Sequence, residues 1–183
     1  DIQEYIEILE MVESVSSVIA GYEINISCPN VKKGGMEFGV DCDMTAKLTE
    51  ALRSRTDRLI IMKLSPNVSD IVSIGKASED AGADAVSAIN TVVGMSITAK
   101  TGMSNIYTTY GGLSGPAIKP VGLAAVHKLY NKLNIPIVGL GGIVSEEDVA
   151  EYILAGAKAV QIGTANFRNP GISEDIISRF NLF

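Results

Sequence analysis

The chain has 183 residues, of which 46% are hydrophobic and 20% are charged, and its formal net charge at pH 7 is −6. An apolar fraction of this size can fill a core and is not typical of a disordered chain. The acidic balance argues against a surface for nucleic acid or for an anionic membrane. No run of about 18 or more apolar residues predicts a membrane-spanning helix. The cysteines, Cys28 and Cys42, are typical of reduced thiols, so we expect a cytoplasmic protein.

Short apolar segments alternate with amphipathic ones along the chain. The apolar, β-branched runs predict strands at 22–26, 59–64, 84–89, 135–140 and 159–162. Helical periodicity and capping residues predict helices at 2–15, from Met44 to Leu52, from Ser69 to Gly82, from Pro120 to Tyr130, from Ser145 to Gly156 and at 173–180. Since every gap between strands contains a helix, the sequence predicts right-handed β-α units in a parallel sheet.

Two segments lack such periodicity. The segment 31–41 contains Gly34-Gly35 and is predicted to be a mobile flap over the end of the first strand. The segment 92–119 is punctuated by glycines, which predicts a long active-site insertion with a short hairpin.

The first predicted strand ends in the run Asn25-Ile26-Ser27-Cys28-Pro29-Asn30. Pro29 has no N–H to pair and disfavours helix at the preceding residue, so the strand should stop here. Cys28 is therefore expected at the C-terminal end of a strand, where α/β folds commonly carry out their chemistry. A thiol has a reference pKa of about 8.5 and can accept a proton near neutral pH when polar neighbours assist. We predict that Cys28 is catalytic, whereas a small buried cysteine would be the structural alternative, which we assign to Cys42.

Amide and cationic side chains also occur at predicted strand ends. Asn25, Asn30 and Asn90 offer donors and acceptors that suit a planar ligand with C=O and N–H edges, although a single asparagine is more often a turn former. Lys63 interrupts an apolar strand, and a buried ammonium needs an anionic or electron-rich partner unless it extends to solvent between helices. His127 fits a helix surface, and no His or Cys spacing predicts a metal site.

The last two predicted strands are followed by Gly141-Gly142 and Gly163-Thr164. In (β/α)8 barrels the loops after strands seven and eight commonly bind phosphate through bare backbone N–H groups. This predicts a TIM barrel of which the chain supplies about strands four to eight, so that residues 1–183 form the C-terminal part of a single barrel domain. A barrel typically needs about 250 residues, and three β-α units are then expected upstream. The alternative is a complete doubly wound sheet of five strands.

With these residues assembled, the chain resembles the dihydroorotate dehydrogenase family. The run 25–30 resembles the family signature, and cysteine at position 28 points to class 1. The remaining matching motifs resemble class 1B, which uses NAD through a second subunit; they are Lys63-Leu64-Ser65-Pro66-Asn67, Ile89-Asn90-Thr91, the decapeptide from Gly111 to Pro120, Gly139-Leu140-Gly141-Gly142-Ile143 and Gly163-Thr164-Ala165-Asn166-Phe167.

The resemblance implies an enzyme that oxidises dihydroorotate to orotate in pyrimidine biosynthesis, with Cys28 as general base and hydride transfer to FMN. It places Lys63 near the N1/O2 edge of the flavin. The residues implied to hold the pyrimidine are Asn25, Asn30, Asn90 and Thr91. The residues implied to contact the cofactor are Asn25, Lys63, Ile89 and Gly115, with Gly141, Gly142, Gly163 and Thr164 at its phosphate. The resemblance also implies a homodimer that associates with an electron-transfer subunit carrying FAD and a 2Fe-2S cluster.

The match has departures and leaves alternatives. Thr101-Gly102-Met103-Ser104 replaces an expected basic, proline-containing segment, which concerns the insertion or a partner contact more than the chemistry. The family's first three β-α units are absent, so we expect residues 1–183 alone to be inactive. The alternatives are a dihydropyrimidine dehydrogenase-like flavin domain that reduces uracil, a flavin-free phosphate-binding barrel, and a truncated, non-catalytic remnant.

Overall fold

Five parallel strands lie side by side in chain order in the computed structural model, which describes residues 1–15, 17–27 and 38–180. The strands are β1 (Gly21–Asn25), β2 (Leu59–Leu64), β3 (Ala85–Ala88), β4 (Val92–Met95), β5 (Ile97–Thr98), β6 (Met103–Ser104), β7 (Tyr110–Leu113), β8 (Ile137–Leu140) and β9 (Ala159–Gln161). The helices are α1 (Ile2–Val15), α2 (Cys42–Arg53), α3 (Ile71–Asp80), α4 (Lys119–Tyr130), α5 (Glu146–Leu154), α6 (Ala165–Arg168) and α7 (Ile172–Phe180). The central sheet has the order β1-β2-β3-β8-β9.

The strand order distinguishes between the two predicted architectures, the barrel and the doubly wound sheet. A doubly wound sheet reverses its strand order at a switch point and carries helices on both faces. The five described strands follow one another without reversal, and neighbouring helices pack on each other in chain order from α1 to α5. The described residues therefore form a singly wound parallel sheet, and the doubly wound alternative is wrong for them.

Alternation along β2 shows how the two faces of the sheet differ. Ile60, Met62 and Leu64 are fully buried under the helices, whereas Ile61 and Lys63 between them are partly exposed. Successive side chains of a strand point to opposite faces, so one face is the apolar core and the other carries polar groups. The polar face is the one that can bind a ligand.

A hydrogen bond between the two outer strands shows that the sheet is strongly curved. Gln161 Nε2 on β9 donates to Glu23 Oε2 on β1 over 3.3 Å. In a flat sheet of five strands the outer strands would be roughly 19 Å apart, and each of these side chains reaches only about 5 Å from the backbone. The polar face is therefore concave, as it is on the inner side of a barrel wall.

The insertion predicted at 92–119 is present but shorter: its ribbons end at Leu113, and Pro116–Ile118 forms a 3-10 turn that leads into α4. β4 pairs with β7, and β5 pairs with β6, both antiparallel, so the expected hairpin is present as two small ribbons. Gly112 lies so close to Thr91 that an added Cβ would meet its Oγ1 at 2.4 Å, which packs the ribbon against the end of β3.

The helix ends follow the predicted capping chemistry with one correction. Ser145 and Asp148 form a capping box at the start of α5, as predicted. The N-cap of α3 is Asp70, whose side chain accepts from the N–H of Val72, and not Ser69 as predicted. A carboxylate at this position is as good an acceptor as a hydroxyl, and the sequence does not separate the two. None of the helices in the described ranges is long and apolar enough to cross a membrane.

Gly139 is expected to be essential for packing between β8 and α5. A Cβ at this position would lie 2.4 Å from Cδ1 of Tyr152, which is fully buried. We predict that Gly139→Ala lowers the free energy of unfolding of the full-length protein by about 1–3 kcal/mol, measured by urea denaturation. Gly171→Ala is the matched control, because its Cβ would meet only Asn169 Oδ1, at an ordinary contact distance of 3.5 Å. Equal stabilities of the two variants would contradict this packing.

Candidate active site

The five parallel strands end at the same edge of the sheet, and a cavity of about 480 Å³ lies there. Lys63 comes from the end of β2, Asn90 and Thr91 follow β3, and the two glycine pairs follow β8 and β9. The predicted site residues that line the cavity are Lys63, Ile89, Asn90, Thr91, Gly115, Gly141, Gly142, Gly163 and Thr164. Residues predicted from five separate stretches of sequence are thus brought to one cavity.

Asn25 is held beside this cavity by Asn90. Asn25 Oδ1 accepts hydrogen bonds from Asn90 Nδ2 (3.0 Å) and from the N–H of Ser27 (3.1 Å). Asn90 Oδ1 accepts from the N–H of Thr91 at 2.7 Å. These bonds occupy the Asn25 oxygen and leave its Nδ2 without an acceptor among the described residues, so Asn25 can present a donor to a ligand carbonyl.

A second cavity, of about 590 Å³, adjoins the first and shares Asn90 and Thr91 with it. Ser27, Ser65 and Tyr110 also contribute to its walls, so the insertion forms one side of it. The predicted residues Cys28 and Asn30, and the flap around Gly34-Gly35, lie outside the described residues. Ile26 and Ser27, the last described residues before them, line this second cavity.

Asn67 connects the loops on either side of the second cavity, and the sequence reasoning assigned it no role. Its Nδ2 donates to the Thr91 carbonyl and its Oδ1 accepts from the N–H of Val93, both at 2.9 Å. Asn67 could have been predicted from the same pattern as Asn90, because each is an asparagine shortly after a strand.

The loop after β8 approaches its neighbours so closely that only glycine fits. Gly142 has a φ of +77°, and a Cβ there would lie 2.9 Å from the Gly115 carbonyl oxygen and from the Lys119 nitrogen. Tyr152 Oη donates to the Gly141 carbonyl at 2.8 Å, and burial raises the pKa of this phenol to about 12. Added Cβ atoms at Gly115 and Gly163 would meet no atom within 4 Å. Exposed backbone therefore faces open space, which suits an anion.

A partly buried cluster of ion pairs, with Asp148 as its buried member, packs against the outer side of this loop. Lys119 Nζ lies 2.6 Å from Asp148 Oδ1 and 2.7 Å from Glu151 Oε2. Hydrogen bonds to these carboxylates raise the pKa of Lys119 to about 12. Burial opposes ionisation of Asp148, but the bonds from Lys119 and from the N–H groups of Val144 and Ser145 hold its pKa below the usual value.

Lys63 has a carboxylate partner on the concave face. Its Nζ lies 4.0 Å from Glu23 Oε2, and the two side chains are 23% and 28% exposed. The prediction that Lys63 needs an anionic partner is met within the chain itself, by a residue that the sequence reasoning did not single out.

Arg168, at the end of α6, also lines the first cavity and was not predicted as a site residue. It forms no ion pair with any described residue, and the lining contains no carboxylate. An exposed arginine at the end of a four-residue helix gives no sequence signal that separates it from any other surface cation. No group of three or more His, Cys, Asp or Glu side chains that could hold a metal occurs among residues 1–15, 17–27 and 38–180.

Comparison with known proteins decides the family. A model of the dihydroorotate dehydrogenase family matches residues 1–182. The chain belongs to this family. The dihydroorotate dehydrogenase B (NAD(+)) catalytic subunits of Malacoplasma penetrans and Bacillus pumilus are similar, at 47% identity over 98% of this chain and 49% over 96%. The chain spans 58% and 56% of the length of these two relatives.

A solved structure, DHODH of Eimeria tenella in complex with ferulenol, has the same fold in the region that it shares with this chain. The TM-score is 0.75 at 24% identity, over 93% of this chain and 51% of that one. The family model and the curated relatives confirm the family predicted from the motifs, and the names of those relatives agree with the resemblance to class 1B.

The Lys119–Asp148 ion pair packs against Gly141-Gly142, which belongs to one of the motifs that resemble the family. The contribution of this pair to stability can be tested. We predict that Asp148→Asn lowers the free energy of unfolding by about 1–3 kcal/mol at pH 7, since it leaves buried donors poorly paired. The folded-state pKa of Asp148 is depressed from 3.8, so its contribution is present above that pH and is lost as the pH falls through the folded value.

The measurement is urea denaturation of the full-length protein and the variant from pH 3 to pH 8. The difference between the two should shrink below about pH 4. Glu151→Gln is the control, because it removes the more exposed partner of the same lysine and should cost less than about 1 kcal/mol. A difference that persists unchanged at pH 3 would contradict the role of the ionised carboxylate.

Proposed function

We propose that this chain is part of the FMN-binding catalytic subunit of a class 1B dihydroorotate dehydrogenase, which oxidises dihydroorotate to orotate in pyrimidine biosynthesis. The observation that carries the proposal is the first cavity. It joins Lys63, the amide and hydroxyl of Asn90 and Thr91, and both glycine pairs at the carboxyl edge of a parallel sheet. The family and the names of the relatives agree with it.

The five strands are proposed to be strands four to eight of a (β/α)8 barrel, with residues 1–183 as the C-terminal part of one domain. Three observations support this arrangement: the strand order without reversal, the curvature that brings Gln161 to Glu23, and the 58% share of a relative's length that the chain spans. A barrel would pair the two outer strands of the sheet with further strands.

The residues present fit FMN. The phosphate would be held by the backbone at Gly141, Gly142, Gly163 and Thr164; the three glycines leave that backbone uncovered by side chains. Ile89 and Gly115 would line the ring system, and Lys63 would place positive charge near its N1/O2 edge. When bound, FMN supplies a hydride acceptor.

The protein residues would orient the substrate and remove its proton. Asn25 would donate from Nδ2 to a pyrimidine carbonyl, and Asn90, Thr91 and Asn30 would complete the recognition of the ring. Cys28 would take the proton from a ring carbon as general base, while the flap around Gly34-Gly35 would exclude water. Asn25 would also contact the cofactor.

The partners are proposed from the class. An electron-transfer subunit with FAD and a 2Fe-2S cluster would pass electrons to NAD, and the catalytic subunit would form a homodimer. We place the protein in the cytoplasm because its cysteines are typical of reduced thiols.

The first test of this function uses the full-length protein. We predict a yellow preparation whose flavin absorbance is bleached by dihydroorotate under anaerobic conditions. Cys28→Ser should slow the bleaching by about 10²–10⁴-fold in stopped-flow measurements, because serine is a far weaker base. Cys42→Ser is the matched control and should bleach at the rate of the unaltered protein. Colourless protein, or bleaching by dihydrouracil alone, would contradict the proposal.

Arg168 provides a second test, because it is the unpaired cation among the cavity-lining residues that the structure describes. We predict that Arg168→Ala weakens FMN binding by about 3–30-fold and leaves riboflavin binding unchanged, because only FMN carries a phosphate for the guanidinium. The measurement is titration of the flavin-free protein followed by flavin fluorescence.

Lys158→Ala is the matched control for Arg168. It removes the same charge from an exposed residue at the opposite end of β9. It should leave both affinities unchanged. If both variants weaken FMN binding equally, the net charge of the protein explains the effect and the proposed contact with Arg168 is wrong.

A further inference from the structure

Glu23 is a partly shielded carboxylate that the proposed mechanism does not use. It lies on the concave face in the middle of β1, two residues before Asn25. A carboxylate in such a position needs partners, because its charge is only partly solvated. The structure supplies partners from three other strands.

The three partners fix the carboxylate in place. Ser87 on β3, which is fully buried, donates to Oε1 at 2.5 Å. Gln161 on β9 donates to Oε2 at 3.3 Å, and the Lys63 ammonium on β2 lies 4.0 Å from the same oxygen. With two neutral donors holding both oxygens, the carboxylate has a defined position from which it attracts Lys63.

We infer that Glu23 is a positioning residue that holds the Lys63 ammonium toward β1 on the concave face, limits how closely that ammonium approaches the flavin, and so lowers the reduction potential of the bound flavin. This rests on the proposed function, in which Lys63 faces the cofactor. Reduction adds negative charge to the flavin, and Lys63 favours this more strongly the closer its ammonium lies, so a carboxylate that holds the ammonium toward β1 opposes reduction. The charged residues of the cavity lining, Lys63 and Arg168, are both cations. Among the described residues, Glu23 is the acidic side chain that lies within 4.0 Å of Lys63.

The test is the two-electron reduction potential of FMN bound to the full-length protein, measured by equilibration with a reference dye. Glu23→Gln keeps the shape and an acceptor for Ser87 but removes the charge. The equilibrium constant for reduction should rise by about tenfold, equivalent to about 30 mV more positive. An unchanged potential overturns the inference.

A double-mutant cycle separates positioning from a direct effect of the carboxylate on the flavin. In the Lys63→Met background the shift caused by Glu23→Gln should fall to less than half, because the residue through which Glu23 acts is gone. A shift of the same size in both backgrounds overturns the positioning role. Glu147→Gln, on the exposed first turn of α5, is the charge-matched control and should leave the potential unchanged.

Two further outcomes are informative. If Glu23→Gln does not fold, Glu23→Asp is used, which keeps the charge but withdraws it by one methylene. The potential should then rise by a smaller amount, and an unchanged value overturns the inference. If the unaltered full-length protein binds no FMN, the proposed function itself fails. If FMN binds but its reduction potential is the same with and without the Glu23 carboxylate, only the present inference fails.

Discussion

The curvature of the central sheet is the constraint on which the site depends. Side chains from the first and last described strands can meet only because the sheet bends toward its polar face, and the bond between Gln161 and Glu23 is the direct sign of it. Buried apolar residues such as Met62 and Val86 cover the convex face. The helices that pack on this face therefore stabilise the curvature. A flat sheet with the same sequence would leave Glu23 and Lys63 on an open surface, where solvent would weaken their attraction.

The end of the sheet is built by a different device, a set of polar contacts behind bare backbone. Tyr152 bonds the Gly141 carbonyl, and Lys119 packs against Gly142 while it pairs with Asp148. Asp148 also accepts from two backbone N–H groups at the start of α5. One carboxylate therefore caps a helix, neutralises a lysine and fixes a glycine loop, so folding energy and ligand geometry depend on the same few atoms.

The sequence predicted local features well and pairings across the sheet poorly. Apolar runs placed the five central strands to within two residues, because buried parallel strands need such runs. The four-residue helix α6 was missed because it is too short to show a period, and Asp70 replaced Ser69 as a cap because both are good acceptors. The pairing of Lys63 with Glu23 depends on strand register and curvature, which no local pattern contains. The roles of Cys28 and Asn30 stay predictions, since they lie outside the described residues.

The three cations around the first cavity indicate how an anionic cofactor should lie in it. Lys119 is neutralised by Asp148 and Glu151, and Lys63 is partly offset by Glu23, whereas Arg168 has no carboxylate partner among the described residues. A dianionic phosphate should therefore settle at the Arg168 side, where the glycine pairs expose backbone N–H groups. The ring system would then extend toward Lys63 and Asn90, at the side where the second cavity begins. Charge pairing within the chain thus supports the proposal that one end of the cavity takes the phosphate and the other carries the chemistry.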